Sequence, residues 1–172
     1  MGMIIYKYCT QCRSELNLTG SDPKCDSCNI IYYSNSKPTA SILPIKDGQV
    51  LLAKRAQDPF KGSIDVIGGF LLDGEKPEDA AKREAKEETG LTVDLVELLG
   101  IYTDKYGDGG INTININYVA KITGGEMLAQ DDVESLQWYP IDDLPQNIGF
   151  ESSRQTLLDL QNWYRKNNKG KK

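Results

Sequence analysis

Residues Gly69–Leu91 read GFLLDGEKPEDAAKREAKEETGL, a stretch that carries signals for both ends of a helix. Pro77 suits the first helical turn because its missing N–H would find no partner there, and Gly90 is a typical residue just past a helix end. We therefore predict a helix between these two residues. Its small residues form a face that can lie close against a sheet: Ala80, Ala81 and Ala85.

The same helix brings acidic side chains together. Residues three and four apart share a helix face, so Glu84 meets both Glu87 and Glu88. Like charges at that spacing cost roughly 0.2–0.5 kcal/mol per pair unless a positive group lies among them. Arg83 can pair with Glu87, and clustered carboxylates can hold Mg²⁺ or Mn²⁺, which prefer hard oxygen ligands. A charged helix face that is simply solvated is the alternative interpretation.

Strand-like segments surround this helix. Residues 42–45 and 50–53 flank an Asp-Gly turn and predict a β-hairpin, and residues 63–67 suit a short buried strand. Apolar and polar residues alternate over 114–122, as expected for a strand. The remaining predicted elements are a strand region at 93–101, a turn at 108–110, a strand that contains Trp138 and a terminal amphipathic helix at 151–166. The sequence thus predicts an α+β fold, with a mixed β-sheet packed between helices.

All four cysteines lie in two closely spaced pairs, Cys9-x2-Cys12 and Cys25-x2-Cys28. Two facing CxxC knuckles would supply four thiolates for a tetrahedral Zn²⁺. Two disulfides or a redox pair are the alternatives, but disulfides suit secreted proteins and a redox CxxC normally occurs once, near a βαβ unit. With four protein ligands the zinc would be structural, in a ribbon too small for its own core. Such a module suits packing or dimerisation, so a homodimer is one expected assembly.

These patterns divide the chain into three parts. We expect a zinc ribbon at 1–37, a main domain at 38–166 that includes the terminal helix, and a basic tail at 167–172. The opening residues lack signal-peptide features, and no apolar run approaches the ~20 residues that cross a bilayer. A net charge of −5 argues against broad attraction to nucleic acid or membrane. We therefore expect a cytoplasmic protein with no membrane partner and no specific nucleic acid partner.

The chain contains no histidine. This excludes Ser-His-Asp and Cys-His nucleophilic schemes, as well as zinc sites with histidine ligands. Proton transfer near neutral pH must instead use carboxylates, a lysine, a tyrosine or metal-bound water.

The quoted stretch, written in full, is Gly69-x5-Glu75-x7-Arg83-Glu84-Ala85-Lys86-Glu87-Glu88-Thr89-Gly90-Leu91. It resembles the signature of the Nudix hydrolases, G-x5-E-x7-R-E-U-x-E-E-x-G-U with U aliphatic, and matches it at every fixed position. The resemblance extends over roughly residues 39–144 in strand order. It implies a Nudix fold and Mg²⁺-dependent cleavage of a diphosphate. It also implies which groups bind the metal: the carboxylates of Glu84, Glu87 and Glu88 and the carbonyl of Gly68, with Arg83 fixing a carboxylate.

Other candidate site residues lie outside this signature. The family often supplies one more acid from a loop after the sheet, and here Asp132 is the first candidate for that auxiliary base or ligand and Glu134 the second. Aromatic faces suit stacking on a nucleotide base, although packing is the alternative role for each aromatic residue. The substrate-binding candidates are Arg55, Phe70, Tyr102, Tyr106 and Glu134.

Two features bear on the substrate. A four-cysteine ribbon ahead of a Nudix domain resembles the NADH pyrophosphatase branch, which carries a Ser-Gln-Pro-Trp-type block soon after the signature. Residues 100–113 occupy that region here and read GIYTDKYGDGGINT, without such a block. We therefore expect a nucleoside diphosphate linked to another group as substrate, with ADP-ribose-like compounds ahead of NADH. A non-catalytic nucleotide sensor with a zinc-ribbon interaction surface is the alternative from another functional class.

Overall fold

The computed structural model describes residues 6–107 and 110–168. Asp108 and Gly109 of the predicted turn lie outside this range, as do the first five residues and residues 169–172 of the predicted basic tail. The division of the chain at residues 37/38 and 166/167 stays a prediction.

Nine strands and two helices follow one another along the described chain. In order they are β1 Lys24–Cys25, β2 Ile30–Ile31, β3 Lys37–Lys46, β4 Gln49–Arg55, β5 Ile64–Asp65, β6 Ile67–Phe70, α1 Pro77–Thr89, β7 Leu91–Tyr106, β8 Ile111–Gly125, β9 Val133–Pro140 and α2 Glu151–Asn167. β1 and β2 form a small antiparallel sheet, and the other seven strands form a larger one. The larger sheet is mixed, because β3 pairs with β8 in parallel while its other strand pairs are antiparallel.

Strand β3 changes its partner partway along its length. On one edge it pairs with β6 over Thr39–Ile42 and then with β4 over Ile45–Lys46. Pro44, which has no N–H to donate, lies between these two pairings. The cavity described below is lined by Thr39 and Ser41, in the part of β3 that pairs with β6. Pro38 also lies inside β3.

The two helices cover opposite faces of the large sheet. The α1 residues Ala80, Ala81 and Ala85 pack with one set of buried residues, which includes Ile42. Leu157 and Leu160 of α2 pack with another set, which includes Leu43, the next residue of β3. Because successive strand residues point to opposite faces, the sheet lies between the helices. The predicted α+β fold with a mixed sheet packed between helices is confirmed.

Helix α1 begins and ends where the sequence predicts. Pro77 is its first residue, and Gly90 follows its last residue with φ of 70°, a left-handed conformation that glycine adopts at little cost. The Gly90 N–H donates to the carbonyl of Lys86 at 3.0 Å. Both ends of the helix that carries the acidic cluster are therefore fixed by local sequence.

The predicted strand at 63–67 is instead two short strands. Asp65 Oδ1 accepts the N–H of its neighbour Val66 at 2.8 Å, so this amide is satisfied by a side chain and the strand is interrupted there. Strand β7 also extends beyond the predicted 93–101 at both ends. Among the described residues, neither helix combines the length and apolarity needed to cross a membrane.

Candidate active site

A cavity of about 320 Å³ lies where α1, β3, β6, β8 and the start of α2 meet. Its walls combine three chemical groups: carboxylates, aromatic rings, and small polar side chains from β3 and β8. The carboxylates that line it include Glu84, Glu88 and Asp132, and the aromatic rings are Phe70, Tyr106 and Phe150.

Two glycines allow β6 to pack closely against its neighbours, Gly69 against α1 and Gly68 against β3. A Cβ added to Gly69 would lie 2.6 Å from Oε1 of Glu84, and one added to Gly68 would lie 2.5 Å from Cα of Ser41. Neither contact is sterically acceptable, so larger residues here would displace the carboxylate or the neighbouring strand. The Gly68 N–H donates to Oε2 of Glu88 at 2.9 Å, which ties the helix carboxylate to the strand.

Arg83 organises the acidic side chains around it. Its Nε and Nη2 donate to the two oxygens of Glu75, each at 2.8 Å, in a bidentate pair. Its Nη1 donates to Glu84 at 2.7 Å and to Glu87 at 2.8 Å, and its Nη2 also reaches the carbonyl of Phe70 at 3.1 Å. Hydrogen bonds from Arg83 lower the pKa of Glu75 to about 2. The predicted pairing of Arg83 with Glu87 is present, and the bidentate partner is Glu75.

Glu88 lies deeper in the site than the other acids of α1. Burial, followed by the nearby Asp132 carboxyl, raises the pKa of Glu88 to about 10. Burial also raises the pKa of Glu84, against the effect of Arg83. The carboxyl groups of Glu84, Glu88 and Asp132 thus lie close together, with too little positive charge around them to balance three negative charges. Carboxylate oxygens arranged in this way are the ligands that a divalent cation prefers.

Protein stability should therefore depend on pH when no divalent cation is bound. The folded pKa of Glu88 is about 10, above the 4.5 of an ordinary glutamate, so the folded state holds a proton that the unfolded chain releases. The contribution of Glu88 to the free energy of unfolding is therefore largest below pH 4.5. It falls between pH 4.5 and about 10, by at most about 1.4 kcal/mol per pH unit. Melting temperatures measured from pH 6 to 9 in Mg²⁺-free buffer should fall with pH.

Glu88→Gln is the matched control, because it cannot release this proton and its melting curve should depend less on pH. Chelators are left out, since they would also remove a metal bound by the cysteines. Equal pH slopes for the wild-type protein and the variant would contradict the assignment to Glu88.

The remaining acidic candidates differ in whether they line the cavity. Asp132 lines the cavity and acts on the pKa of Glu88. Glu134 instead forms an exposed ion pair with Lys54 at 2.7 Å and does not line the cavity. The Glu87 side chain is 50% exposed and paired with Arg83, and it also lies outside the cavity lining. Asp132, in the turn before β9, is thus brought to the carboxylates of α1, whereas Glu134 lies on β9 and not in a loop as predicted.

The aromatic candidates also differ in whether they line the cavity. Phe70 packs edge-on against Tyr106 with 5.4 Å between ring centroids, and Tyr106 stacks on Phe150 at 5.6 Å. The guanidinium of Arg55 lies 5.1 Å from the centroid of the Phe150 ring. Tyr102 is not part of this wall, because its hydroxyl donates to Asp159 of α2 at 2.9 Å. The structure thus brings Arg55, Phe70 and Tyr106 together and leaves Tyr102 against the helix.

Arg55 is held in place by groups that sequence reasoning did not identify. Its Nη1 donates to Asp65 at 3.1 Å and its Nε to the carbonyl of Pro59 at 2.8 Å. Asp65 in turn accepts the hydroxyl of Ser153 at 2.6 Å. Asp65, an acid between Ile64 and Val66 in an otherwise apolar strand, was the only local signal for this arrangement. Phe150 and Ser153 carry no such signal, because they reach the site only through the packing of α2.

The four cysteine sulfurs form a second site, in the ribbon. They all lie within 4.8 Å of one another, and Cys12 and Cys25 are 3.6 Å apart. A tetrahedral zinc with Zn–S bonds of about 2.3 Å would place its sulfurs about 3.8 Å apart, whereas a disulfide requires about 2 Å. The cysteines are free thiols rather than disulfides, and their arrangement fits a four-sulfur metal site.

Hydrogen bonds in the ribbon favour this interpretation. The Tyr32 hydroxyl donates to Sγ of Cys9 at 3.3 Å and is the main cause that lowers the pKa of Cys9 to about 6. The neighbouring Cys12 raises the pKa of Cys28 to about 12. Four thiols at this spacing cannot all become thiolates without a cation among them, because their negative charges would repel one another. A bound cation would offset that repulsion.

Comparison with known proteins agrees with this geometry. Residues 35–160 match the NUDIX domain family model. An ADP-ribose pyrophosphatase from Methanocaldococcus jannaschii is 36% identical over 118 residues, which are 69% of each chain. The NAD-capped RNA hydrolase NudC from Pseudomonas aeruginosa is 26% identical over 157 residues, 90% of this chain and 55% of that protein. The chain therefore spans about half the length of this second relative.

Solved structures support the fold. A Nudix hydrolase from Nitrosomonas europaea superimposes with a TM-score of 0.80 at 24% identity, covering 96% of this chain and 94% of that one. The family model covers well over half of the chain, and the sequence signature lies on the helix that carries the convergent carboxylates. The chain therefore belongs to the Nudix hydrolase family.

Proposed function

We propose that this protein is a Mg²⁺- or Mn²⁺-dependent pyrophosphohydrolase that cleaves the diphosphate of a nucleoside diphosphate linked to another group. The observation that carries the proposal is the cavity itself, which joins three carboxylates to an aromatic wall. Carboxylates that hold a cation suit a diphosphate, and aromatic faces suit a nucleotide base.

The residues present fit a divalent cation. Glu84 and Glu88 would hold it, together with the carbonyl of Gly68 that the family resemblance implies. Glu87 would join them only by leaving its ion pair with Arg83. The bound cation would neutralise diphosphate charge and stabilise the leaving oxygen.

The protein's own groups would position the reactants. We assign Asp132 as the base that takes a proton from the attacking water, because it lies beside Glu88 on the cavity wall. The water oxygen forms a bond to one phosphorus, the bond from that phosphorus to the bridging oxygen breaks, and two monophosphates leave. Arg83 holds Glu84 in place, and Arg55, already oriented by Asp65, offers its remaining N–H groups to a phosphate.

ADP-ribose-like substrates are favoured over NADH. The relative that is 36% identical is named as an ADP-ribose pyrophosphatase, whereas the relatives named NudC are more distant. The block typical of the NADH branch is also missing from residues 100–113. Because specificity depends on the site rather than on domain layout, we give this absence more weight than the ribbon.

The test compares ADP-ribose with NADH at saturating Mg²⁺. We expect kcat/KM to be higher for ADP-ribose, with AMP released, because cleavage falls between the two phosphorus atoms. A tenfold preference for NADH, equal to about 1.4 kcal/mol of transition-state binding, would contradict the substrate proposal. NAD-capped RNA belongs in the panel, since the relatives named NudC act on it and our expectation of no nucleic acid partner stays a prediction.

The same assay separates an enzyme from a nucleotide sensor. A sensor would raise its melting temperature with ADP-ribose but release no AMP. Turnover that requires Mg²⁺ and is lost on Asp132→Asn would support the enzyme and the role of Asp132 together.

For the ribbon we propose one structural Zn²⁺ held by Cys9, Cys12, Cys25 and Cys28. With four sulfur ligands the metal would have no open position for chemistry. The homodimer stays a prediction, which the molar mass in solution tests.

A further inference from the structure

A row of residues runs across the sheet from the carboxylates to α2. The strand register places Gly68 of β6 beside Ser41 of β3, and Ser41 beside Asn117 of β8. Ser41 and Asn117 both line the cavity that contains Glu84 and Glu88. Two strand spacings separate the outer members, so the Cα of Asn117 lies about 10 Å from that of Gly68. A substrate with its diphosphate near Gly68 would extend a sugar or base toward Asn117.

The hydrogen bonds of Thr156 fix the orientation of the Asn117 amide. The Thr156 hydroxyl has one proton, which it donates to the carbonyl of Ser152 at 2.7 Å. It can therefore only accept from Asn117, whose Nδ2 lies 2.6 Å away. The amide nitrogen must face Thr156, and Oδ1 must face the other way.

Asn117 Oδ1 is left without a partner. Of the buried side-chain nitrogen and oxygen atoms in the part of the chain that the structure describes, it alone makes no hydrogen bond. The residue is 1% exposed. Buried polar groups in folded proteins nearly always have partners, so this acceptor, on a residue that lines the cavity, calls for a partner from outside the protein, a ligand group or a water.

The neighbouring asparagine on the same strand shows the contrast. Asn115 also lines the cavity, but its Oδ1 accepts the Thr39 hydroxyl at 2.7 Å and its Nδ2 donates to Thr113 at 3.3 Å. Both ends of that amide are used within the protein. Asn117 and Asn115 thus share strand, face and residue type, and differ in whether an acceptor remains free.

We propose that Asn117 is a specificity residue whose Oδ1 accepts a hydrogen bond from a hydroxyl or amino group of the substrate. This inference rests on the proposed hydrolysis of nucleoside diphosphate derivatives. Because Oδ1 is an acceptor only, the matching group must be a donor, and because it is buried the group must be small and approach end-on. Such donors lie on the nucleoside sugar, on the second sugar and on the exocyclic amine of the base.

The experiment measures kcat/KM for ADP-ribose and for three analogues, each lacking one set of donors. They are 2′,3′-dideoxyadenosine diphosphate ribose, adenosine diphosphate n-pentyl ester and purine riboside diphosphate ribose. For the wild-type protein, kcat/KM should be about tenfold to hundredfold lower for one analogue than for ADP-ribose. Asn117→Leu should lower kcat/KM for ADP-ribose by a similar factor relative to the wild-type protein. The variant should also have the same kcat/KM for ADP-ribose and for that analogue. The analogue on which discrimination disappears identifies the donor.

Asn115→Leu is the matched control, and it should keep the wild-type discrimination whatever its effect on absolute rates. If Asn117→Leu does not fold, Asn117→Leu/Thr156→Val replaces it and is compared with Thr156→Val, because making both partners apolar is better tolerated. Equal losses of Asn117→Leu on all four compounds would overturn the role of Asn117 while leaving the hydrolase intact. If the wild-type protein hydrolyses none of them, the proposed function fails, and this inference fails with it.

Discussion

Replacing Glu88 with glutamine should lower kcat for ADP-ribose by on the order of a thousandfold while the protein remains folded, equal to about 4 kcal/mol of transition-state stabilisation. Glutamine keeps an oxygen that can accept the Gly68 N–H, now at 2.9 Å from Glu88, so the contact between α1 and β6 survives. The negative charge that would hold a divalent cation is removed. Without Mg²⁺ at pH 8 the variant should be the more stable protein, since it no longer buries an ionisable group whose pKa is about 10.

Glu87→Gln is the matched comparison. The two residues are neighbours on α1, but Glu88 is 6% exposed and lines the cavity, whereas the Glu87 side chain is 50% exposed and paired with Arg83. We expect Glu87→Gln to lose at least tenfold less activity, measured at saturating Mg²⁺ on proteins with matching circular dichroism. Near-normal turnover of Glu88→Gln, or equal losses in the two variants, would show that the reaction centre is not where we place it.

The position of α1 and its carboxylates could be predicted from sequence because the signals are local. Pro77 and Gly90 mark the ends of the helix, and the spacing of Glu84 and Glu88 follows from its period. Which carboxylate is buried could not be predicted. That depends on how closely α1 approaches β6, and hence on the space left at Gly69.

Residues that reach the cavity from distant segments were harder to predict. The alternation in β8 indicates a strand, but it does not show that both of its faces are covered. Asn117 is 1% exposed beneath α2, whereas Ile114, an apolar residue on the same strand, is 36% exposed. A polar residue in an alternating strand would ordinarily be assigned to the solvent face, but here α2 covers that face while α1 covers the apolar one.

Tyr102 and Tyr106 show the same limit. Both lie on β7 and, four residues apart, point to the same side of the strand. Tyr106 stacks on Phe150, the residue before α2, while Tyr102 reaches Asp159, the middle residue of that helix. Which tyrosine lines the cavity is decided by where α2 begins, and the two residues themselves carry no signal of that.

Replacing Cys25 with serine should remove the ribbon's metal. Wild-type protein should contain one zinc per chain, and the variant close to none. Cys25 is fully buried in a small cluster with Cys9 and Leu16, and Cys12 lies 3.6 Å from its sulfur. Structural zinc contributes on the order of 10–16 kcal/mol in small peptides, far more than this cluster can provide. The ribbon should therefore lose its fold, and limited proteolysis should cut between residues 6 and 36 in the variant before the rest of the chain.

The Nudix part should survive that loss, because the two large buried clusters contain no residue of the ribbon cluster. We expect Cys25→Ser to keep most of its turnover of ADP-ribose and the main melting transition. Ser27→Ala is the matched control, since Ser27 is an exposed residue in the same knuckle and carries no sulfur. Elemental analysis that finds no zinc in the wild-type protein, or an intermolecular disulfide in freshly reduced protein, would contradict a structural zinc site. Loss of turnover together with zinc would instead show that the ribbon supports the active site, which the separation of the buried clusters argues against.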